Sequence, residues 1–486
     1  MVPVMINDIR LAQGRPLQEQ LYRQLADRVL SGRYQPGQKL PSSRQMSVDL
    51  GVSRNTVNAV YDQLKAEGFL QSRAGRGVFV HENIHAVVGK DEGARVAGHA
   101  TPAPLPPLPK MPVPGLRASA DVNLPFQPGL PDVDAFPIKA WNRILHHQES
   151  RRSLRGYDGT QGFLPLRCAI AEYLRASRGV DCQPHQIVVT QGAQQALSLI
   201  AEVFLQPGDR VLVENPGYRG ARNALGRFGH PLVPVPLNQH VMDVQALSRL
   251  GPARLLFCTP THQYPMGGIL DLSQRLALVE WARSQRCWII EDDYDSEFHF
   301  YNKPFAAMQG IAENSPVLYV GSFSKTLLPA LRVGYLVLPE SVVDAVLQAK
   351  QISGGESPLL LQATIAEFIE SGQFMRHLRR MRQLYRDKWQ RFNDLVVAKL
   401  HGLAEPVAES AGMHLVLQGD FDDQQTSQWL RTQGFGSAPL SAHFMTTDVR
   451  QGLVMGFASA HDRDMVSCVD RLVTRLSDSA WGYGNR

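Results

Sequence analysis

Cysteine is scarce and scattered: Cys168, Cys182, Cys258, Cys287 and Cys468 are the five among 486 residues, odd in number and without a C-x-x-C pair. That spacing suggests neither a disulfide framework nor a metal site, and it points to a reducing compartment, the cytoplasm. No stretch reaches the roughly 18 uninterrupted apolar residues that a membrane-spanning helix needs. The opening MVPVMINDIRLAQGRPLQEQ meets Asp8 before any long apolar run, so no secretory leader is expected. Internal repeats are absent, which excludes a solenoid. With 44% apolar and 20% charged residues the composition is that of a soluble globular protein rather than a disordered chain. The length corresponds to about three average domains, so more than one is expected.

The net charge of +5 is unevenly placed. Residues 1–81 hold 11 Lys and Arg against 6 Asp and Glu, and the remainder carries 39 of each sign. A small basic head on a neutral body points to a polyanion as the partner of the head. The segment PAPLPPLPKMPVP (102–114) has seven prolines in thirteen positions, which forbids helix and favours extended chain. Residues 82–118 therefore read as a linker, between a head at 1–81 and a body at 119–486.

In the head, Leu17, Leu21, Leu25 and Val29 recur every four residues and predict a helix that ends at Gly32 and Pro36-Gly37. A second helix starts at Ser42, with Gln45 as capping-box partner, and closes at Gly51. A third starts at Ser53, turns Val57, Val60, Tyr61 and Leu64 inward, and leaves Arg54, Asn55, Thr56 and Asn58 exposed at its N-terminal turns. Two helices joined by the tight LGVSR turn make a helix-turn-helix, whose second helix meets bases and whose cap regions meet phosphates. GFLQSRAGRGVFV then supplies two short strands around residues 74–77, a wing with an arginine at its tip.

The run PGQKLPSSRQMSVDLGVSRNTVNAVYDQLKAEGFLQSRAGRGVFV resembles the winged helix of the GntR family of bacterial repressors, over most of residues 14–81. The resemblance implies Arg44, Arg54, Thr56, Arg76 and Gly77 as contacts to double-stranded operator DNA. Arg54 or Asn58 would read bases, with Ser42 and Ser53 on phosphates.

The body alternates apolar strand-like runs with helix-length segments. QIVVT (186–190), RVLVE (210–214), RLLFC (254–258), CWIIED (287–292), VLYVG (317–321) and VGYLVL (333–338) are the strands, and residues 193–204 and 272–284 are two of the helices. This order predicts an α/β fold with a mostly parallel sheet covered on both faces. Beyond residue 358 helical patterns dominate, and HLVLQ (414–418) and LVMGF (453–457) suggest a smaller α+β part.

Chemistry gathers at the strand ends. GSFSKTLLPALRVGY (321–335) puts Lys325 just past a strand, between Ser322, Ser324 and Arg332. Such a lysine forms Schiff bases, while hydroxyls and a guanidinium hold phosphate. This combination is what pyridoxal 5′-phosphate requires. Asp292 and Tyr294 end another strand and suit the cofactor's ring nitrogen and O3′. In TQGAQQAL (190–197), the N–H groups of Gly192, Ala193 and Gln194 open a helix and suit the phosphate. Tyr218, in NPGY, offers a stacking face.

These motifs resemble the fold type I aminotransferase-like domain, over residues 120–475. The fused order of winged helix, Pro-rich linker and this domain is similar to the MocR/GabR type of bacterial transcriptional regulator, as are YDGTQGFLPLR (157–167), TPTHQYPMG (259–267) and EDDYDSEF. The resemblance implies a Schiff base between Lys325 and pyridoxal 5′-phosphate, Asp292 on the ring nitrogen, Tyr294 on O3′, Arg332 on the phosphate and Tyr218 stacked on the ring. The tyrosine follows the aspartate by two residues rather than the usual three, which makes Asp293 a rival for the nitrogen contact. Tyr157 matches a tyrosine that reaches the neighbouring subunit's phosphate, which implies a homodimer. His262 and Gln263 belong to the motif with no contact assigned.

One departure bears on function. Relatives hold the substrate carboxylate with an arginine in L-R-x-G-[FY]; here the strand reads Leu453-Val454-Met455-Gly456-Phe457. Arg450, Arg219 and Arg222 are candidate substitutes, and Gly220 stands where a GABA-sensing relative has a second arginine, so GABA is a poor guess. The missing guanidinium favours a DNA-binding regulator that senses pyridoxal phosphate, an amine or an amino acid over an autoregulated aminotransferase, since turnover requires a firmly oriented substrate. The chain would act in the bacterial cytoplasm and join the nucleoid when bound to DNA.

Overall fold

A computed structural model describes residues 9–12, 14, 16–82, 84, 123–300, 306–312, 315–407 and 412–483. It forms two compact units, Met1–Lys110 and Met111–Arg486. The expected linker, 82–118, lies outside the described residues apart from Glu82 and Ile84.

The first unit has helices Leu17–Leu30, Ser43–Leu50 and Arg54–Ala66, followed by a hairpin of β1 (Leu70–Arg73) and β2 (Gly77–Val80). Leu21, Leu25, Met46, Val57, Val60 and Leu64 are fully buried between the helices, as the apolar periodicity requires. The Ser42 side chain accepts the Gln45 N–H at 3.2 Å, and that of Ser53 accepts the Thr56 N–H at 3.1 Å, so both helix starts are capped as expected. Gly51 ends the second helix at φ +66°, the left-handed conformation that glycine enters at least cost.

The second unit is built on an eight-stranded sheet. Its strands are β3 (Ile187–Thr190), β4 (Val211–Asn215), β5 (Leu232–Asn238), β6 (Val241–Met242), β7 (Leu255–Cys258), β8 (Trp288–Asp293), β9 (Val317–Ser322) and β10 (Gly334–Val337), in the order β3-β10-β9-β8-β7-β4-β5-β6. β5, β4, β7, β8 and β9 run parallel, while β10 is antiparallel to both β3 and β9. In β4, Val211 and Val213 pack toward helices Ala193–Phe204 and Glu340–Ser353, and Leu212 packs on the opposite face with Leu278 of helix Leu272–Gln285. Burial on both faces is why these strands read as unbroken apolar runs.

The sequence reading missed β5 and β6, because Pro234 and Pro236 argue against a strand in LVPVPLN. The Pro236 carbonyl accepts from Asp243 N at 2.9 Å, on the side away from β4. Both prolines share that outward parity, so the ladder with β4 needs no N–H from either. A smaller antiparallel sheet, β11 (Glu405–Pro406), β12 (His414–Gln418), β14 (Gly452–Gly456) and β13 (Ala438–Pro439) in that order, packs with the helix Gln373–Leu400.

Candidate functional site

The carboxyl ends of β4, β7, β8 and β9 lie along one edge of the large sheet, where open α/β sheets place their ligands. There a cavity of about 360 Å³ brings together Ala193, Gln194, Tyr218, Asp292, Tyr294, Ser322, Ser324, Lys325 and Arg332, all singled out in the sequence. Gly192 caps the helix Ala193–Phe204 at φ +86°, and a Cβ there would stand 3.7 Å from the Arg332 guanidinium. The first N–H groups of that helix and a guanidinium thus share one corner, an anion-binding arrangement.

Lys325 Nζ donates to the Gly129 carbonyl at 2.6 Å. A Cβ on Gly129, itself at φ +77°, would lie 2.4 Å from that nitrogen, so the lysine needs glycine there. Asp292 is buried and opens onto the cavity. Burial, and then the charge of Asp293, push its pKa up to about 7, with Lys325 pulling the other way. A carboxylate so placed is completed by a cationic N–H.

Asp293 points to the other face of β8. Its carboxylate accepts from Arg178 Nε at 2.8 Å and from the Tyr319 hydroxyl at 2.5 Å, which removes it as a rival to Asp292. Tyr218 accepts a hydrogen bond from Gln194 Nε2 at 3.1 Å and meets Tyr264 edge-on at 5.8 Å between ring centroids. A Cβ on Gly220 would lie 2.4 Å from the Tyr218 ring, so no side chain fits there with Tyr218 in this position. Tyr294 lines the cavity with its hydroxyl 2.8 Å from His262 Nδ1, and burial first of all raises its pKa well above the usual phenol range. Tyr157 is 96% exposed and takes no part in the cavity.

Val454 is buried with Met266, Val407, Val416 and Leu440. None of Arg219, Arg222 and Arg450 lines the cavity: Arg222 donates to the Ala442 carbonyl at 2.9 Å, and Arg450 lines a separate groove with His240 and Phe444. The candidate substitutes for a carboxylate-binding arginine are thereby corrected. The sequence reading also missed Gly129, Thr259, Tyr264, Asp295, Met413 and His414 as lining residues. Thr259, Tyr264 and Asp295 fall in motifs already singled out and His414 opens the HLVLQ run of β12, while Gly129 and Met413 lie outside all of them. The side chains of His262, Asp295 and His414 bring potential ligand atoms within 4.8 Å of one another, although the His262 Nδ1 there is shared with Tyr294.

In the first unit, Ser42, Arg44, Ser53, Arg54, Asn55, Asn58, Arg76 and Gly77 are exposed, and Thr56 is half-buried with its hydroxyl 2.8 Å from that of Ser53. Arg54 Nε lies 3.4 Å from Ser43 Oγ. The hairpin turn is closed by Arg76 N donating to the Arg73 carbonyl at 2.9 Å. Arg73 itself pairs with Glu82 and stacks 4.8 Å over Phe79, while Arg76 is an exposed cation at the wing tip and the Lys39 side chain lies beside Gly77.

An amine at a strand end, a carboxylate awaiting a cationic N–H, and a helix start joined to a guanidinium fit the aldehyde, ring nitrogen and phosphate of pyridoxal 5′-phosphate. The family model for aminotransferase class I and II matches residues 129–444, and that for bacterial regulatory proteins of the gntR family matches residues 17–80. The chain is 38% identical to the "Probable rhizopine catabolism regulatory protein MocR" of Rhizobium meliloti, over 94% of this chain and 93% of the relative. It is 32% identical to the "HTH-type pyridoxine biosynthesis transcriptional regulator PdxR" of Corynebacterium glutamicum, over 95% of each. Among solved structures, LysN, the alpha-aminoadipate aminotransferase of Thermus thermophilus complexed with N-(5′-phosphopyridoxyl)-L-leucine, is similar at TM-score 0.69 and 26% identity, over 74% of this chain and 93% of that one. No described helix is long and apolar enough to cross a membrane. A winged helix followed by a fold type I domain, matched along nearly the whole chain by regulators of the same build, places this protein in the MocR-type family of gntR transcriptional regulators that carry an aminotransferase class I and II domain.

Proposed function

We propose that this regulator binds pyridoxal 5′-phosphate through Lys325 and changes its hold on operator DNA when the cofactor itself, or an amine or amino compound, occupies the cavity. The observation that carries the reading is the Lys325 amine, 2.6 Å from the Gly129 carbonyl, in one cavity with Asp292, Tyr218 and Arg332. When bound, pyridoxal phosphate supplies an aldehyde that condenses with an amine, with loss of water. The chain's own groups do the rest. Asp292 holds a proton on the ring nitrogen, Tyr294 faces O3′, and Tyr218 covers the ring. Ser322, Ser324, Arg332 and the N–H groups of Gly192, Ala193 and Gln194 hold the phosphate. An amine bound in the same cavity would contend with the Lys325 amine for that aldehyde, and occupancy by the cofactor alone would be the other signal.

Residues 1–81 form the DNA-binding head, 82–118 the linker and 119–486 the effector domain, acting in the cytoplasm as a homodimer with Tyr157 reaching the neighbouring subunit's phosphate site. The heads occupy paired half-sites, held largely through phosphates and therefore salt-sensitive. Exposed Arg54 sits at the first turn of its helix. If it reads a base, Arg54→Ala weakens operator binding by about 1–3 kcal/mol and relaxes specificity at that position. A uniform loss on all sequences, measured by fluorescence anisotropy, would place it on a phosphate instead.

The likeness to an aminotransferase supports a second reading, residual amino transfer. The deciding experiment is absorbance of the cofactor-loaded protein during titration with a panel of amines and amino acids, with operator affinity measured alongside. A visible band that shifts with one compound, together with operator affinity, names the effector. A band steady across the panel points to pyridoxal phosphate as the signal. Operator affinity and footprint identical with and without cofactor and amines would sink the sensing reading, and multi-turnover transfer to a keto acid would establish the enzymatic one.

A further inference from the structure

His262 Nδ1 lies 2.8 Å from the Tyr294 hydroxyl and 3.1 and 3.2 Å from the two carboxylate oxygens of Asp295. One ring nitrogen cannot donate to Asp295 and accept from Tyr294 at once, because it carries either a proton or a lone pair. All three groups are fixed: His262 is 4% exposed, Asp295 is 2% exposed and Tyr294 lies on the cavity wall. The backbone of Gly412 closes over them, where a Cβ would stand 2.1 Å from His262 Cε1 and 2.7 Å from Asp295 Oδ2.

A proton on Nδ1 satisfies the Asp295 carboxylate, and the Tyr294 oxygen then lies within reach as a second acceptor. The tyrosine's own proton is left for the cavity. Without that N–H, Tyr294 would turn its proton toward the imidazole and offer the cavity only lone pairs. The other charged or titratable groups around the pair are Asp292, Lys325, Glu214, Tyr264 and His414. His414 is kept neutral because burial first of all lowers its pKa to about 4, and its Nε2 lies 2.9 Å from the Pro265 carbonyl. It therefore does not compete as a cation for Asp295.

We propose that His262, held by Asp295, is a positioning residue that aims the Tyr294 proton into the cavity and so sets the proton affinity of the lysine–cofactor linkage. The proposal rests on the cofactor reading above. A hydrogen bond donated to the cofactor's O3′ withdraws electron density from that oxygen and weakens its hold on the proton shared with the Lys325 nitrogen. Removing the imidazole then raises the pH midpoint of the cofactor's visible absorption.

Full-length protein loaded with pyridoxal phosphate is titrated by absorbance as wild type, His262→Phe, His262→Asn, Tyr294→Phe and the double variant. His262→Phe is expected to raise the midpoint by about half to one unit, a threefold to tenfold change in proton affinity. His262→Asn, whose amide nitrogen can occupy the Nδ1 position, restores it. In the Tyr294→Phe background the His262→Phe change adds nothing, because its route is gone. A midpoint unmoved in His262→Phe, or an equal shift with and without Tyr294, overturns the proposal. A second measurement needs no cofactor: ¹⁵N spectra of the histidine rings, with the His262 signal identified from its loss in His262→Asn, should report a protonated Nδ1. An unprotonated Nδ1 overturns the proposal even if the Phe variant does not fold. A wild-type chain that takes up no pyridoxal phosphate refutes the cofactor reading instead, and the ring-nitrogen result still decides the aim of Tyr294.

Discussion

Lys325→Ala abolishes the visible absorption of the cofactor-loaded protein, and borohydride no longer fixes pyridoxal phosphate to the chain. The lysine stands just past the end of β9, its amine held by the Gly129 carbonyl at 2.6 Å, and no other lysine among the described residues lines the cavity. The loss is therefore complete rather than graded. Lys325 also holds the pKa of Asp292 down against burial and the charge of Asp293. Without the ammonium, Asp292 keeps its proton to higher pH and receives the cofactor's ring nitrogen less well, so noncovalent uptake falls too. Lys325→Arg separates the two effects: it keeps a cation beside Asp292 but has no nucleophilic amine at neutral pH. The head is a separate compact unit, so DNA binding without cofactor is expected to survive in both variants. A visible band that persists in Lys325→Ala would remove the lysine from the site.

The parts of this fold legible in the sequence are those where one local rule decides. Strands β3, β4, β7, β8 and β9 are buried on both faces and spell continuous apolar runs, and the second and third head helices carry their serine caps where capping chemistry requires them. The cavity residues adjacent to strand ends, Tyr218, Asp292, Lys325 and Arg332, could be placed because the end of an apolar run marks the sheet edge. β5 was hidden because only the sheet's order puts Pro234 and Pro236 on the outward parity. His414 and Gly129 were hidden for a related reason: each reaches the cavity from a segment about 90 or more residues from Lys325, and the apolar run that marks His414 as a strand residue says nothing of the cavity it meets. The choice between Asp292 and Asp293 was likewise open in sequence. It turns on which face of β8 each occupies, and the tyrosine spacing used to weigh them carries no information about that.

Arg178→Met destabilises the C-terminal domain by about 3–5 kcal/mol, the cost of leaving a buried charge without its partner. Arg178 is 3% exposed, and its Nε donates to Asp293 Oδ2 at 2.8 Å while its Nη2 donates to Thr261 Oγ1 at 2.7 Å. Asp293 Oδ1 has no hydrogen-bond partner among the described residues, so the Arg178 guanidinium and the Tyr319 hydroxyl are the donors to its carboxylate, with the charge of Arg275 acting at longer range. Burial lowers the guanidinium pKa, but the charge of Asp293 more than offsets it and the pKa is raised, so the guanidinium stays charged throughout the neutral range. In urea unfolding, Arg178→Met lowers the midpoint, and the Asp293→Asn change in the same background recovers part of the loss because no ion is then stranded. The pair also isolates Asp292: with Asp293 neutralised, the second-largest cause of the raised Asp292 pKa disappears, and pyridoxal phosphate uptake should hold or improve toward lower pH. A loss of cofactor binding in Asp293→Asn at unchanged stability would instead place Asp293 on the ring nitrogen and undo the reading of β8. The buried pair thus anchors the strand end on one face, so that the carboxylate on the other face is held at the cavity.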